Sequence, residues 1–507
     1  MKKMFLTVLF VSFIVLASLF SGCDVAGPTD NPTTSTSTTT STSTFTSTVA
    51  STSTVADTST STSTTTSTST TTTTSTTLPK ALSPIFVLPP GSIEANSILV
   101  TIEAGASGEA IYYTDNGTLP DNTSTPYTGP ISLSTSKAIK AVAVISGYQN
   151  SDVASAQYDL YWWQALGTGM NYTVNAIAFD NTGNLYAGGQ FSQAGGVKAD
   201  GVAVWHNSTW SQLGGGIYGR VNSIKVDAAG DVYLGGYVLW DSEIYGEYDN
   251  KLTKWNHNIG SLEVLGGRVS GEIYALEFVG TDLYAGGNFT HAGKVPNTYC
   301  IARWKPSAST WEALPLGEGG LNDVVYGLSA LGSDLYVGGK FTSTEAGTQM
   351  RKLAKYNGAW TEIGNGGGIA DYNNINHVNA FSGSDIVVGG DFLSGGGVNA
   401  IGLMRWNGAN WSLIGGQHHF GEVVTSVNWG KYFCVGGSFP GSSPPSDGPY
   451  LARHDGVNWS TFGNIAMSSH IYALAVGPDG NLYAGGFFQN AGGIPEADYI
   501  AMWGKKL

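Results

Sequence analysis

A short apolar segment that ends in a Gly pair recurs seven times in the C-terminal two thirds of the chain, and this repeat constrains the fold more than any other feature. The Gly pairs follow one another at spacings of 47, 51, 52, 51, 47 and 49 residues. A period of about 40–50 residues in a chain rich in β-forming residues is typical of β-propeller blades. The copies are Leu185–Gly189, Val232–Gly236, Leu283–Gly287, Leu335–Gly339, Ile386–Gly390, Phe433–Gly437 and Leu482–Gly486.

Each repeat can be divided into four strands, named a to d. In the first repeat these are Val174–Phe179, Leu185–Phe191, Val202–Trp205 and Trp210–Gly214, with Asp180–Asn184 as the a–b turn. Asp, Asn and Gly are the residues that tight hairpins require. The 70 glycines among 507 residues, about twice the usual share, agree with a chain built from many turns.

The two ends of the repeat region predict how the ring closes. The seventh repeat stops at strand c, Ile500–Trp503, and the missing strand d precedes the first repeat as Trp163–Gly167. Pairing of these two segments would close the ring and leave no free sheet edge. The sequence therefore predicts an all-β fold with a seven-bladed β-propeller over residues 160–507.

The repeat resembles kelch-like and galactose-oxidase-type propeller repeats of secreted proteins, over about 345 residues. That architecture carries lyases, oxidases, glycosidases and binding proteins, so the resemblance implies a fold and no particular activity. The copper ligands and the Tyr–Cys crosslink of galactose oxidase have no match in this sequence.

Residues 81–159 alternate apolar strands with turns and predict a small β-sandwich. The segments Ile111–Pro120, Tyr127–Ile131 and Ile139–Ala143 resemble the chitobiase/β-hexosaminidase C-terminal type of domain, which is immunoglobulin-like. An extra Asn116 in the Thr-Asp-Gly turn is a minor departure. The resemblance implies an accessory module of extracellular proteins, without catalytic residues, which we interpret as a spacer; contact with a carbohydrate is the alternative.

Residues 1–23 are typical of an export signal, because Lys2 and Lys3 precede the apolar run Met4–Phe20. Ser21-Gly22-Cys23 resembles the lipobox of bacterial lipoproteins, which implies lipidation at Cys23 and an anchor in a membrane of the cell envelope. An ordinary cleaved signal or an uncleaved helix are the alternatives.

Residues 24–80 are almost pure Ser and Thr, which predicts a disordered stalk. Together these segments predict a lipid-anchored protein of the cell surface.

Charge and cysteine content exclude two classes of protein. The net charge of −14 and the pI near 4.9 argue against a nucleic-acid partner, because phosphate binding needs a basic face. Three cysteines are too few for a disulfide-stabilised scaffold.

Binding sites are expected on the b–c and d–a loops, which vary in length and content more than the a–b turns. Most tryptophans fall at repeat positions, at the ends of c strands or the starts of d strands, and are interpreted as packing residues of the blades. Trp240 is different, because it lies in the acidic, aromatic b–c loop of the second repeat. Aromatic faces beside carboxylates suit a sugar, a cation or a basic partner. The ligand-binding candidates of this loop are Trp240, Asp241, Glu243, Tyr245, Glu247 and Tyr248.

Histidines form a second group of candidates. Four of them fall in the d–a loops that enter three successive repeats, and His291 is in a b–c loop at the same end. Neighbouring loops could bring imidazoles together on Zn or Cu, with Asp371 or Glu422 as a further ligand or a general base. Ordinary surface histidines are the alternative, and no cofactor other than a divalent metal is implied. The metal candidates are His377, His418, His419 and His470.

Two functions from different classes remain open. The first is a surface recognition module whose propeller binds an extracellular glycan or protein. The second is an extracellular polysaccharide-acting enzyme, a lyase or glycoside hydrolase, with its site on the b–c and d–a loops. The absence of a catalytic motif favours the first.

Overall fold

The computed structural model describes residues 78–239, 250–314, 319–364, 369, 374–382, 385–416, 420–439, 450–463 and 467–507. All regular secondary structure in these residues is β-strand, apart from one 3-10 turn at Ala491–Gly493, and turns and loops connect the strands. Within these ranges no helix is both long and apolar enough to cross a bilayer. The predicted signal with Cys23 and most of the predicted stalk lie outside the described residues.

An N-terminal β-sandwich precedes the repeats. Its strands are β1 (Ile85–Phe86), β2 (Gly91–Glu94), β3 (Ile98–Val100), β4 (Ile102–Glu103), β5 (Ala110–Thr114), β6 (Thr125–Pro126), β7 (Ile131–Leu133), β8 (Lys137–Val144) and β9 (Ala154–Ala165). Strand β1 pairs with β4 and β3 with β7, while β6, β5, β8 and β9 form one continuous sheet. Between these sheets lies a core that includes Val100, Leu133, Ile139 and Tyr158.

The strands of the first four repeats follow β9 directly. They are β10 (Val174–Phe179), β11 (Leu185–Gly189), β12 (Gln193–Ala194), β13 (Val197–Lys198), β14 (Val202–His206), β15 (Thr209–Gln212), β16 (Tyr218–Val226), β17 (Val232–Leu239), β18 (Asn250–Asn256), β19 (Ser261–Val269), β20 (Glu272–Val279), β21 (Asp282–Asn288), β22 (Ile301–Lys305), β23 (Thr310–Glu312), β24 (Val325–Leu331), β25 (Asp334–Gly339), β26 (Leu353–Tyr356) and β27 (Trp360–Glu362).

The last three repeats contain the remaining strands. They are β28 (Asn374–Ser382), β29 (Asp385–Asp391), β30 (Ser394–Gly395), β31 (Val398–Asn399), β32 (Leu403–Trp406), β33 (Trp411–Ser412), β34 (Glu422–Trp429), β35 (Tyr432–Ser438), β36 (Leu451–His454), β37 (Trp459–Ser460), β38 (Ile471–Val476), β39 (Leu482–Gly486) and β40 (Ile500–Lys505).

The repeats fold as a β-propeller, but the predicted number of seven blades is wrong, because the structure has six. Six repeats each form their own four-stranded antiparallel sheet, from β10-β11-β14-β15 to β34-β35-β36-β37. The seventh repeat has no sheet of its own. Its strands β38, β39 and β40 belong to an eight-stranded sheet that continues through β9 into the sandwich.

Strand β9 joins the sandwich to the end of the chain, as the pairing of the two termini predicted. Trp503 lies opposite Trp163, and Lys505 opposite Tyr161, in an antiparallel register between β40 and β9. The earlier part of β9 pairs with β8, and β2 pairs with it in parallel on its other edge. Because one uninterrupted strand serves both domains, the predicted boundary at residue 160 falls inside it.

The Gly pairs have a steric reason. The first strands of successive repeats contact one another in a closed cycle, with β38 returning to β10, so they form the inner wall of the ring. A Cβ on Gly188 would come within 2.5 Å of Val221 in the next repeat, and a Cβ on Gly189 within 2.0 Å of the Thr173 carbonyl oxygen. Only glycine fits where sheets approach this closely.

Tryptophans at the ends of c strands pack on tryptophans at the starts of d strands, in agreement with the packing role expected for them. Their rings lie directly opposite one another, with centroids 5.1–5.5 Å apart, which is the range of favourable aromatic pairs. The pairs are Trp205–Trp210, Trp304–Trp311, Trp406–Trp411 and Trp503–Trp163.

A buried ion pair fixes the sandwich to the propeller. Glu94, at the end of β2, pairs with Arg453, whose side chain is only 7% exposed. The Arg453 guanidinium lies 4.8 Å from the ring centroids of both Tyr432 and Phe462. The other Glu94 oxygen accepts a hydrogen bond from the Gly463 amide at 3.3 Å. The sandwich therefore sits at the end of the ring that carries the a–b and c–d turns.

Candidate functional site

The inner strands share an irregularity at the opposite end of the ring. Each of the seven has a register shift near its start, so one residue per repeat is bulged out of the ladder. β-Bulges re-aim side chains and are frequent beside functional sites. We call these residues the bulge ring: Asn175, Asn222, Tyr274, Tyr326, Asn376, Val424 and Tyr472.

Members of the bulge ring contact the inner strand of the next repeat. The Asn175 amide donates to the Val221 carbonyl oxygen at 3.1 Å, and the Asn222 amide donates to that of Ile273 at the same distance. The Tyr274 and Tyr326 rings are 5.4 Å apart. The inner strands enclose a central channel, and these contacts hold the bulge-ring side chains in place around its opening at the end of the b–c and d–a loops. We call this opening the channel mouth.

A cavity of about 480 Å³ opens at this mouth, which is within the usual range for small-molecule sites. It lies at the end of the ring that carries the b–c and d–a loops, where the sequence placed the site. Four aromatic rings and three side-chain amide groups are among its lining residues, which come from the seventh, first, second and third repeats. Its lining residues are Tyr172, Thr173, Asn175, Gln190, Arg220, Asn222, Tyr274, Tyr472 and Phe487.

One wall of the cavity is aromatic and open to solvent. Tyr172 is 45% exposed and Phe487 is 42% exposed. Their rings pack edge to face with centroids 5.6 Å apart, over the buried Tyr499. Large aromatic side chains that stay exposed although they touch one another offer a preformed surface for a ligand.

The facing wall is polar and tightly bonded. Arg220 donates from Nε and Nη2 to the Oε1 atom of Glu272, at 2.9 and 2.5 Å. The Asn222 amide donates to the same oxygen at 2.7 Å. Burial, followed by the charge of Glu272, raises the pKa of Tyr274 to about 12, so this phenol stays protonated and can donate a hydrogen bond. Arg220 is thus held rigidly at the cavity.

A carboxylate lies beside the mouth in the sixth repeat. Glu422 accepts a hydrogen bond from the Asn376 amide at 2.7 Å. Water reaches Glu422, yet protein atoms surround it in the concave mouth. This desolvation, followed by the charge of Asp391, raises the pKa of its carboxyl, while His470 and Asn376 act in the opposite direction.

His377 lies deeper in the ring than predicted. It is inside strand β28 and not in a d–a loop, because the inner strand of the fifth repeat starts earlier than the sequence suggested. Its Nε2 accepts a hydrogen bond from the Ser426 amide at 3.1 Å and lies 2.9 Å from the Ser426 hydroxyl. Burial, with a contribution from Lys225, lowers the pKa of His377 to about 4, so the ring is neutral at pH 7.

The other predicted candidates are less informative. His470 lies just before β38, in a d–a loop as predicted, and its ring stacks on Tyr472 with centroids 6.0 Å apart. His291 is exposed in a b–c loop. Asp371, His418, His419 and the candidate residues of the 240–249 loop lie outside the described residues. Among the residues that are described, no group of three His, Cys, Asp or Glu side chains could hold a metal ion.

The described b–c loops are more alike than their sequences indicated. Ala194 forms a bridge with Met170 in the first repeat, and Gly395 does so with Ile369 in the fifth. A Cβ on Gly195 would meet the Trp210 ring at 2.7 Å. These two loops are therefore packed against the preceding d–a loop and against the strand-d tryptophans Trp210 and Trp411, which limits their conformations.

A second cavity, of about 430 Å³, lies between the fifth and sixth sheets near the a–b turns. Arg405, Lys431, Tyr432 and His454 are among its lining residues. His454 stands where most repeats have a tryptophan at the end of strand c. The smaller side chain leaves space there.

A comparison with protein-family models identifies the type of the N-terminal sandwich. Residues 88–155 match the model of the chitobiase/β-hexosaminidase C-terminal domain family. The sandwich is a domain of that type, as its sequence motifs suggested. No curated protein matches the chain.

Solved structures resemble the chain only distantly. The extracellular domain of a B. thetaiotaomicron protein described as a hybrid two-component system, BT3049, is 10% identical with a TM-score of 0.44 and covers 68% of this chain. That of the one-component system BT4673 from the same organism is 12% identical with a TM-score of 0.43 and covers 84% of this chain. The matches span 42% and 51% of those two chains. The WD40 β-propeller domain of Doa1 is 11% identical, with a TM-score of 0.43, and the match covers 68% of this chain and 97% of that domain.

The bulge ring and the cavity were not found from the sequence. A signal was present, because the residue after the first apolar position of each inner strand is Asn or Tyr in six of seven repeats. Aligning the repeats on their first strands, in addition to the Gly pairs, would have revealed it.

Proposed function

We propose that the chain is an exported, lipid-anchored surface protein whose propeller binds an extracellular glycan at the channel mouth. The observation that carries this proposal is the cavity with one exposed aromatic wall and one polar wall. Export and lipidation at Cys23 are inferred from the sequence, and the sandwich is of a type associated with extracellular proteins.

The two walls suit the chemistry of a sugar. The Tyr172 and Phe487 rings can pack against the apolar C–H face of a pyranose ring. Amide groups such as those of Asn175 and Gln190 can both donate to and accept from hydroxyl groups. A few polar groups in a mostly preformed concave site are what orient a small ligand.

The test is titration calorimetry of the purified protein with oligosaccharide fragments of neutral and acidic polysaccharides. Tyr172→Ala and Phe487→Ala should each weaken binding about tenfold, the effect of losing roughly 1.5 kcal/mol of aromatic contact. Tyr148→Ala is the matched control, because Tyr148 is also 45% exposed but lies in the sandwich. If no oligosaccharide binds, or if all three variants behave alike, the proposal is wrong and a protein ligand becomes the better hypothesis.

The proposed lipid anchor has its own test. Cys23→Ser removes the thiol that would carry the lipid, so the protein should move from the membrane fraction to the soluble exported fraction. An ordinary cleaved signal predicts no difference between the variant and the wild type.

The raised pKa of Glu422 supports a second candidate, a polysaccharide-acting enzyme. A carboxyl whose pKa is raised by desolvation holds its proton more readily than an ordinary Glu, and such a shift favours general acid catalysis. Glu422→Gln should then abolish the release of new sugar ends while leaving oligosaccharide binding intact. The control is Glu496→Gln, an exposed carboxylate in a b–c loop of the same end. If the wild type releases no new sugar ends, the enzymatic candidate is wrong and the recognition function remains.

A metal at the predicted histidines belongs to the same enzymatic candidate. Addition of Zn²⁺ should raise the melting temperature of the wild type, and EDTA should reverse the change. Replacing His418 and His419 together by Ala should remove this response. An equal response in the variant would show that these residues do not bind the metal.

A further inference from the structure

The polar wall of the cavity contains a charge arrangement that bears on which glycans fit. Among the nine lining residues Arg220 is the only one with a full charge. Its partner Glu272 lies behind it, with a side chain 14% exposed against 39% for Arg220. A ligand in the cavity can therefore contact the Arg220 guanidinium directly, whereas Arg220 separates it from the Glu272 carboxylate.

We propose that Glu272 makes the channel mouth selective for uncharged sugars by cancelling the charge of Arg220. This inference rests on the proposed glycan binding and specifies the class of glycan. A carboxylate ligand gains strongly from an unpaired guanidinium but little from one that already shares its charge with a buried partner. Arg220 then acts as a fixed set of N–H donors for hydroxyl oxygens.

The hydrogen bonds around Glu272 support this role. Three donors converge on its Oε1 atom: Nε and Nη2 of Arg220 and the amide of Asn222. A guanidinium has five N–H groups, so donors remain to face the cavity while the plane is held in position. Glu272 is a positioning residue, because it reaches the ligand only through Arg220.

Charges elsewhere at the mouth act in the same direction. Glu422 and Asp391 lie in the neighbouring sixth and fifth repeats, close enough for the charge of Asp391 to contribute to the raised pKa of the Glu422 carboxyl. A uronic acid that extended from the cavity towards them would meet like charge, which is a common means of rejecting a wrong ligand. The chain as a whole carries −14.

The experiment compares matched neutral and acidic oligosaccharides: galactan with polygalacturonate fragments, and mannan with polymannuronate fragments. The wild type should bind a neutral member of at least one pair about tenfold more tightly than its acidic counterpart. Glu272→Gln keeps the shape of the side chain but exposes the charge of Arg220. Affinity for the acidic member should rise about tenfold, and added salt should reverse the gain.

Two further variants make the result specific. Glu277→Gln is the matched control, because Glu277 lies on the same strand β20 and pairs with Lys225 at 2.7 Å but does not line the cavity. It should leave the preference unchanged. Arg220→Gln leaves Glu272 without its cation and should further lower the affinity for acidic oligosaccharides. This variant tests the role of the pair even if Glu272→Gln does not fold.

The outcomes separate the two proposals. If no member of either pair binds the wild type, the proposed glycan binding fails and this inference fails with it. If the wild type binds but prefers the acidic members, or if Glu272→Gln and Glu277→Gln have the same effect, glycan binding stands and the role of Glu272 is wrong.

Discussion

The ion pair between the sandwich and the propeller allows a quantitative prediction. Glu94→Gln keeps the size of the side chain and removes its charge. Arg453 would then remain buried between the Tyr432 and Phe462 rings, with the Ser460 hydroxyl at 3.2 Å as a neutral partner. A buried guanidinium that loses its counter-charge is destabilising even where neutral partners remain.

The magnitude follows from the burial of the two partners. Removing one member of a buried ion pair costs about 3–5 kcal/mol. The Arg453 side chain is 7% exposed but that of Glu94 is 34% exposed, so water partly compensates and we expect about 2–3 kcal/mol. Unfolding entropy of about 2.1 cal/mol/K per residue gives about 0.9 kcal/mol/K for roughly 430 residues. The melting temperature should therefore fall by about 2–3 °C.

Differential scanning calorimetry of the full chain tests this estimate. Because β9 belongs to both domains, we expect the sandwich and the propeller to melt in one transition that Glu94→Gln shifts as a whole. Lys80→Gln is the control, since the Lys80–Asp152 pair is exposed and its loss should cost less than about 1 kcal/mol. Two separate transitions, or equal shifts in the two variants, would refute the reasoning.

The other predictions concern the channel and the ring closure. The pKa of His377 is lowered in the folded state, so the unfolded chain binds more protons between about pH 4 and 6.5, and stability should fall by roughly 2–3 kcal/mol as the pH drops through this range. His377→Gln keeps an acceptor for the Ser426 amide and should remove this part of the pH dependence in denaturant titrations; an unchanged slope would assign it to other groups. Trp503 is fully buried against Trp163, so Trp503→Ala should cost about 3–5 kcal/mol, measured by urea unfolding, and Trp503→Phe clearly less. Equal losses in the two variants would contradict a packing role.

The sequence predicted the architecture through features that repeat. The Gly pairs, the four-strand division and the tryptophans opposite one another on strands c and d are all present, because each depends on local strand pairing. The pairing of β9 with β40 was also predicted, since only the N-terminal segment lacked a partner. The number of separate sheets was not, because nothing in the repeat itself shows that the seventh set continues into another domain.

The candidate site was harder to predict because it depends on register between repeats. Arg220 and Glu272 are 52 residues apart and meet only because adjacent inner strands are aligned. The sequence placed His377 in a d–a loop, because it does not show that strand β28 already begins at Asn374, three residues before His377. A clue to the shared strand was available, since no Gly or Pro interrupts Ala154–Ala165.

Strand β9 also determines how the molecule would respond to tension. The N-terminal end of the sandwich is fixed near the start of this strand, where Lys80 pairs with Gln149 and Asp152. A pull between that point and a ligand at the channel mouth would run along β9, whose hydrogen bonds to β8, β2 and β40 lie across the direction of pulling. Hydrogen bonds in this shear geometry are loaded simultaneously and do not break one after another. The shared strand would therefore resist separation of the sandwich from the propeller under tension.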